Sequence, residues 1–146
     1  MKYLKLTEDY ALWLQQLQDY QAALAGCAEK LGAVFPAIKS GFHDYRLSEL
    51  RLEEAEEIKI YLTLNDFEQH QILEFSKVEQ FEVTYEARNY RFTDESGKKT
   101  AVITDDGYGA VEVDELVLLE DGKLSYEFRF FSGMHVLIKC AEIDFA

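Results

Sequence analysis

The stretch VEVDELVLLEDGKLSYEFRFFSGMHVLIKCAEIDF, residues 111–145, decides the fold. At its centre Leu124, Tyr126, Phe128 and Phe130 alternate with Ser125, Glu127, Arg129 and Phe131, the period of two that a strand with one buried face requires. Asp121-Gly122 before it and Ser132-Gly133 after it are tight-turn dipeptides. Residues 111–145 therefore read as a three-stranded antiparallel meander. Val111, Val113, Val117 and Leu119 share one parity while Leu116 and Leu118 occupy the other, which predicts a first strand covered on both faces.

The same alternation runs upstream. Ile58, Ile60, Leu62 and Leu64 are separated by Lys59, Tyr61 and Thr63, and a partner strand is expected over about Tyr45–Leu52, where Leu47 falls out of phase with Leu50 and Leu52 and predicts a bulge or a late strand start. Glu53, Glu54, Glu56 and Glu57 between them read as a solvated hairpin loop. Leu73 with Phe75, and Phe81, Val83 and Tyr85, give two further runs, and Asp94–Lys99 reads as a polar turn between Tyr90–Phe92 and Val102–Ile103. Asp105, Asp106, Gly107 and Gly109 form a glycine-rich loop.

The N-terminal part has a different period. Tyr10, Trp13, Leu14, Leu17, Leu24, Ala28 and Leu31 recur at spacings of three, four and seven, which predicts a helix over about residues 7–32, capped by Thr7 and ending near Gly32. Gly26 inside it costs about 1 kcal/mol relative to Ala and marks where it would break. Phe35–Gly41, with Pro36 and Ser40, reads as a connection. One helix followed by seven or eight strands over about residues 44–145 predicts a single α+β domain, with the helix across one face of a mostly antiparallel, curved sheet.

Composition limits the function. A chain of 146 residues with 48% hydrophobic and 14% aromatic content folds around one core. Against 15 Lys and Arg stand 28 Asp and Glu, a formal charge of -13, and such a surface repels phosphate backbones and anionic lipid, so neither nucleic acid nor membrane is an expected partner. No stretch approaches the ~20 apolar residues of a membrane span. Cys27 and Cys140 have no CxxC spacing and read as buried thiols in a reducing cytoplasm.

No motif carries catalysis, and neither a cofactor nor a metal is expected. The serines include no G-x-S-x-G elbow, and no glycine-rich phosphate loop occurs. A calcium loop starting at Asp105 would need ligands where Val113 and Leu116 stand. His43-Asp44 has the composition of a general-base pair, but neighbours on a regular strand point to opposite faces, so Asp44 or His43 is expected to bond to backbone at a loop-to-strand junction instead. Phe131, opposite in parity to Phe128 and Phe130, is expected to face away from the core as a partner or dimer contact.

The order of these features, with Phe42-His43-Asp44 entering a strand, Asp114-Glu115-Leu116 and Phe131-Ser132-Gly133, resembles small uncharacterised bacterial proteins, some of them similar to immunity proteins encoded beside secreted toxins. The resemblance implies binding without catalysis, with an acidic surface neutralising a basic protein. Glu53, Glu54, Glu56, Glu57, Asp105, Asp106 and Phe131 are the candidate contacts. An alternative is a small-molecule binder or hydrolase with a pocket between helix and sheet, near His43, Asp44 and His135.

Overall fold

The computed structural model describes residues 1–84, 90–104 and 109–146, with the side chains of residues 90–92 also left aside. Asp105, Asp106, Tyr85 and Tyr108 thus lie outside the described residues. The chain is α+β, but its helix is shorter than its apolar spacing predicts. Asp9, not Thr7, caps helix α1 (Tyr10–Ala25), its Oδ1 accepting from the Leu12 N–H at 3.1 Å. The helix stops at Gly26, the position of lowest helix propensity within it. A single turn, α2 (Ala28–Leu31), a 3-10 turn over Gly32–Val34 and helix α3 (Phe35–Ser40) follow. The expected connection at Phe35–Gly41 is therefore helical: Pro36 sits in the first turn, where its missing N–H costs nothing.

Among the described residues ten strands follow, in two antiparallel sheets rather than one curved sheet of seven or eight. The first sheet contains β1 (Arg46–Glu54), β2 (Ile58–Asn65), β3 (His70–Ser76), β5 (Tyr90–Glu95), β6 (Lys98–Thr104) and β10 (Glu142–Phe145), in the order β10-β3-β2-β1-β6-β5. The second is β4 (Gln80–Val83), β9 (His135–Cys140), β8 (Leu124–Phe130) and β7 (Val111–Leu118), in the order β4-β9-β8-β7. The meander is present as β7-β8-β9, but its last strand ends at Cys140, and β10 leaves to pair with β3 in the other sheet. β3 and β4 cross over at the same level, where the Ala141 N–H donates to the Ser76 carbonyl at 3.2 Å. The phase break at Leu47 is a bulge, with the β1–β2 register shifting between Leu47 and Glu49.

The core lies between the sheets. Leu124, Tyr126, Phe128 and Phe130 are all buried; Tyr126 stacks on Phe128 with ring centroids 4.3 Å apart and meets Phe75 of the other sheet edge-on at 6.3 Å. α1 contacts β7, and the turns that follow contact β10, so the helical segment covers the edge strands of both sheets. Tyr20 shows how an edge is closed, its hydroxyl accepting the Leu116 N–H of β7 at 2.9 Å. Burial pushes that phenol's pKa up, which keeps it neutral. Cys27 and Cys140 are free and buried, and burial pushes the Cys140 thiol up to about 12. No helix among the described residues is long and apolar enough to cross a membrane.

Candidate functional site

The elements converge on one end of the molecule, where β1 and β7 both begin. The Asp44 N–H donates to the Val111 carbonyl at 2.9 Å, and the Val111 N–H to the Tyr45 carbonyl at 2.8 Å. Asp44 takes φ +68°, a left-handed conformation that aspartate tolerates better than most residues. This kink corrects the expectation that His43 and Asp44 could not meet: off the regular strand, His43 Nε2 lies 3.5 Å from Asp44 Oδ1. The backbone bond at this junction is also present, His43 Nδ1 standing 2.7 Å from the Glu112 carbonyl. A carbonyl only accepts, so Nδ1 carries the proton.

The His43 ring meets Phe131 edge-on, with centroids 5.9 Å apart. Together they wall a groove of about 430 Å³. Residues 6–8, Tyr10 and Trp13 form one side, and Val113, Glu112 and Arg129 of β7 and β8 the other. Glu112 holds Arg129 at 3.0 Å. The apolar walls stand largely in solvent: Leu6 is 80% exposed, Tyr10 73% and Phe131 57%. His135 does not line this groove. Its Nε2 lies 2.8 Å from Glu127 Oε2.

The groove owes one wall to a carboxylate that sequence reasoning passed over. Glu115, 1% exposed, accepts three backbone N–H groups, from Lys2 at 2.8 Å, Tyr3 at 2.9 Å and Leu4 at 2.7 Å. The arm fastened in this way continues into Leu6, Thr7 and Glu8. Its neighbour Asp114 points between the sheets, accepting the Phe42 N–H at 2.9 Å and the Tyr126 hydroxyl at 2.5 Å. Burial raises the Asp114 carboxyl above the usual carboxylate range, against the lowering effect of those two bonds. Gly41, at φ +77°, brings the chain past Asp114 where an added Cβ would sit 3.4 Å from Oδ1. The only signal in the sequence was two adjacent acids in a strand whose apolar residues fall on both parities.

The aromatic rim continues from His43 to Tyr45, whose hydroxyl donates to Gln69 Oε1 at 2.7 Å. Gln69 belongs to the β2–β3 turn, where Asp66 Oδ1 accepts the N–H groups of Glu68 at 2.8 Å and Gln69 at 2.6 Å. Those donors hold the Asp66 carboxyl below its usual range. The turn lifts Phe67 fully into solvent, at 109% exposure.

The acidic loop Glu53–Glu57 is at the other end of β1, eight residues or roughly 26 Å from Arg46. It shapes a shallow depression of about 670 Å³ with the β5–β6 turn. Lys98 reaches Glu53 at 3.2 Å and Lys59 reaches Glu57 at 3.6 Å, while Glu54 and Glu56 remain exposed. Phe131 and the acidic loop therefore do not form one site. Among the described residues no group of three or more His, Cys, Asp or Glu gathers as a metal site. No protein-family model, curated protein or solved structure matches this chain.

Proposed function

We propose that this protein is a non-catalytic acidic domain that binds a basic protein partner, in the manner of the immunity proteins its sequence resembles. The observation that carries this reading is the end of the fold where Leu6, Tyr10, Phe67 and Phe131 stand in solvent beside Glu8, Asp44, Asp66 and Glu68. Exposed aromatic anchors set among charges are the composition of a protein contact. The net charge of -13 supplies long-range attraction for a cationic surface. Glu53, Glu54, Glu56 and Glu57 add to that field from the opposite end and steer more than they grip.

A photo-crosslinking amino acid placed at Phe67 or Phe131, in cells that make the protein, tests the reading. The expected product is a discrete adduct with a basic protein from both positions and none from Leu118, an exposed position far along β7. The same adducts from Leu118, or none anywhere, would sink it. The second reading, a small-molecule binder or hydrolase, is favoured by the His43–Asp44 approach of 3.5 Å beside the groove. It requires turnover of a fluorogenic ester that disappears in His43→Ala.

A further inference from the structure

The groove beside Trp13 specifies its occupant more narrowly than net charge does. Leu6, Tyr10, Trp13, Val113 and Phe131 give it apolar walls. Of its charges, Arg129 and Glu112 hold each other at 3.0 Å, and Asp9 next to it is occupied in capping α1. Glu8 and, past His43, Asp44 remain as exposed carboxylates, with Asp66 and Glu68 at the same end of the fold, against Lys5 and Arg46 as exposed cations. The local balance is thus acidic around an apolar slot. With Leu6, Tyr10 and Phe131 each more than half exposed over a floor of Val113, the groove does not enclose a ligand as small-molecule sites do, which bury most of its surface. It suits a side chain presented by a larger body.

We infer that this groove takes one bulky apolar side chain from a cationic polypeptide segment, seated between Tyr10, Trp13 and Phe131, with flanking Lys or Arg residues against Glu8 and Asp44. The inference rests on the reading of the chain as an acidic protein-binding domain and names the feature its partner presents. Charge complementarity selects this occupant over a second copy. Two chains of -13 repel, and a two-fold contact through the groove would set Glu8 and Asp44 of both copies close together. The arm also makes the groove conditional: Leu6 and Glu8 are placed by the chain that Glu115 fastens at Lys2–Leu4.

Trp13 is the sole tryptophan of the chain and lines the groove, so its emission reports occupancy directly. The probes are two tryptophan-free synthetic peptides of equal positive charge, rich in Lys and Arg, one with a central Leu-Phe pair and one with Ser-Ser in its place. The anchored peptide is expected to shift Trp13 emission and to bind roughly tenfold more tightly, by anisotropy at low salt, than the Ser-Ser peptide. Phe131→Ser and Leu6→Ser should each remove roughly that tenfold preference. Leu118→Ser, on an exposed position outside the groove, should leave it intact. All three residues are exposed, so the variants should keep the parent circular dichroism.

Equal affinity for both peptides with no Trp13 response would overturn the groove inference while leaving the protein-binding reading in place. Failure of both peptides to bind at low salt would overturn both. A Trp13 shift that follows protein concentration alone, with dimer mass by light scattering, would overturn it in favour of self-association.

Discussion

Two acidic segments of this protein meet opposite fates. Glu53–Glu57 caps a hairpin in water, with two of its carboxylates near Lys98 and Lys59 and two exposed. Asp114 and Glu115 sit in the middle of β7 and are buried, one on each face of the strand. The loop carries more charge and the strand carries more structure. A carboxylate in water gains little from a surface lysine, whereas a buried one must find donors or leave the ionised form. Asp114 and Glu115 meet that requirement differently: Glu115 has three backbone N–H partners, while Asp114 has one N–H and one phenol.

The largest effect is expected at Glu115. Replacing it with Ala leaves the N–H groups of Lys2, Tyr3 and Leu4 without their acceptor and removes the clasp on the arm. We expect a loss of about 3 kcal/mol and a melting temperature lower by about 10 °C. Hydrogen exchange separates this from general softening. Amides 2–4 should lose protection at once, while amides of β8 should change only with global stability. The groove probe should weaken too, since the wall built by Leu6 and Glu8 follows the arm. An unchanged melting temperature would break the comparison at its strong end.

These partners explain what the sequence could and could not disclose. Alternation from Leu124 to Phe130 named four buried residues correctly because each side chain's face is set by its own strand. The phase of Leu47 left a bulge and a late strand start both open, and the register shift between Leu47 and Glu49 decides for the bulge. The division into two sheets was not legible, because it depends on β10 pairing with β3 across some seventy residues and on a crossover at Ser76 and Ala141. The partners of Glu115 were less legible still: backbone N–H groups are common to almost every residue and carry no sequence signature. His43 and Asp44 were read with strand geometry, and the left-handed turn at Asp44 brought them together. Phe67 gave no signal, since a lone aromatic in a polar turn looks the same whether it tucks in or stands out.

Asp114→Asn should have the opposite sign to loss of Glu115. Burial raises the Asp114 carboxyl in the folded protein, so the native state binds that proton more tightly than the unfolded chain, whose value is roughly 3.9. Its contribution to stability is therefore fully present below about pH 3.9 and is lost as pH rises through the raised folded value. An amide has no charge to desolvate and keeps an acceptor for the Phe42 N–H. The variant should be more stable than the parent at pH 7, with the two converging toward pH 4. Urea midpoints across that range measure it. A variant less stable at pH 7 would mean that the Tyr126 and Phe42 bonds outweigh burial of the charge, and would place Asp114 beside Glu115 as a clasp.

The weak end of the comparison is the loop. Glu54→Gln with Glu56→Gln removes two exposed charges and should shift urea stability by no more than about 0.5 kcal/mol. Glu53→Gln loses the contact with Lys98 at 3.2 Å, a pair with partly exposed members, and should cost at most about 1 kcal/mol. Salt sharpens the test. The Glu53 effect should fade at molar ionic strength, where the screening length falls to about 3 Å, whereas the Glu115 effect should persist because that carboxylate is itself buried, as is Leu4 among its partners. If the loop substitutions instead cost as much as Glu115→Ala, and did so at high salt, the loop would be a packed element whose carboxylates hold structure. Its contribution to attracting a cationic partner would then be secondary to a folding role.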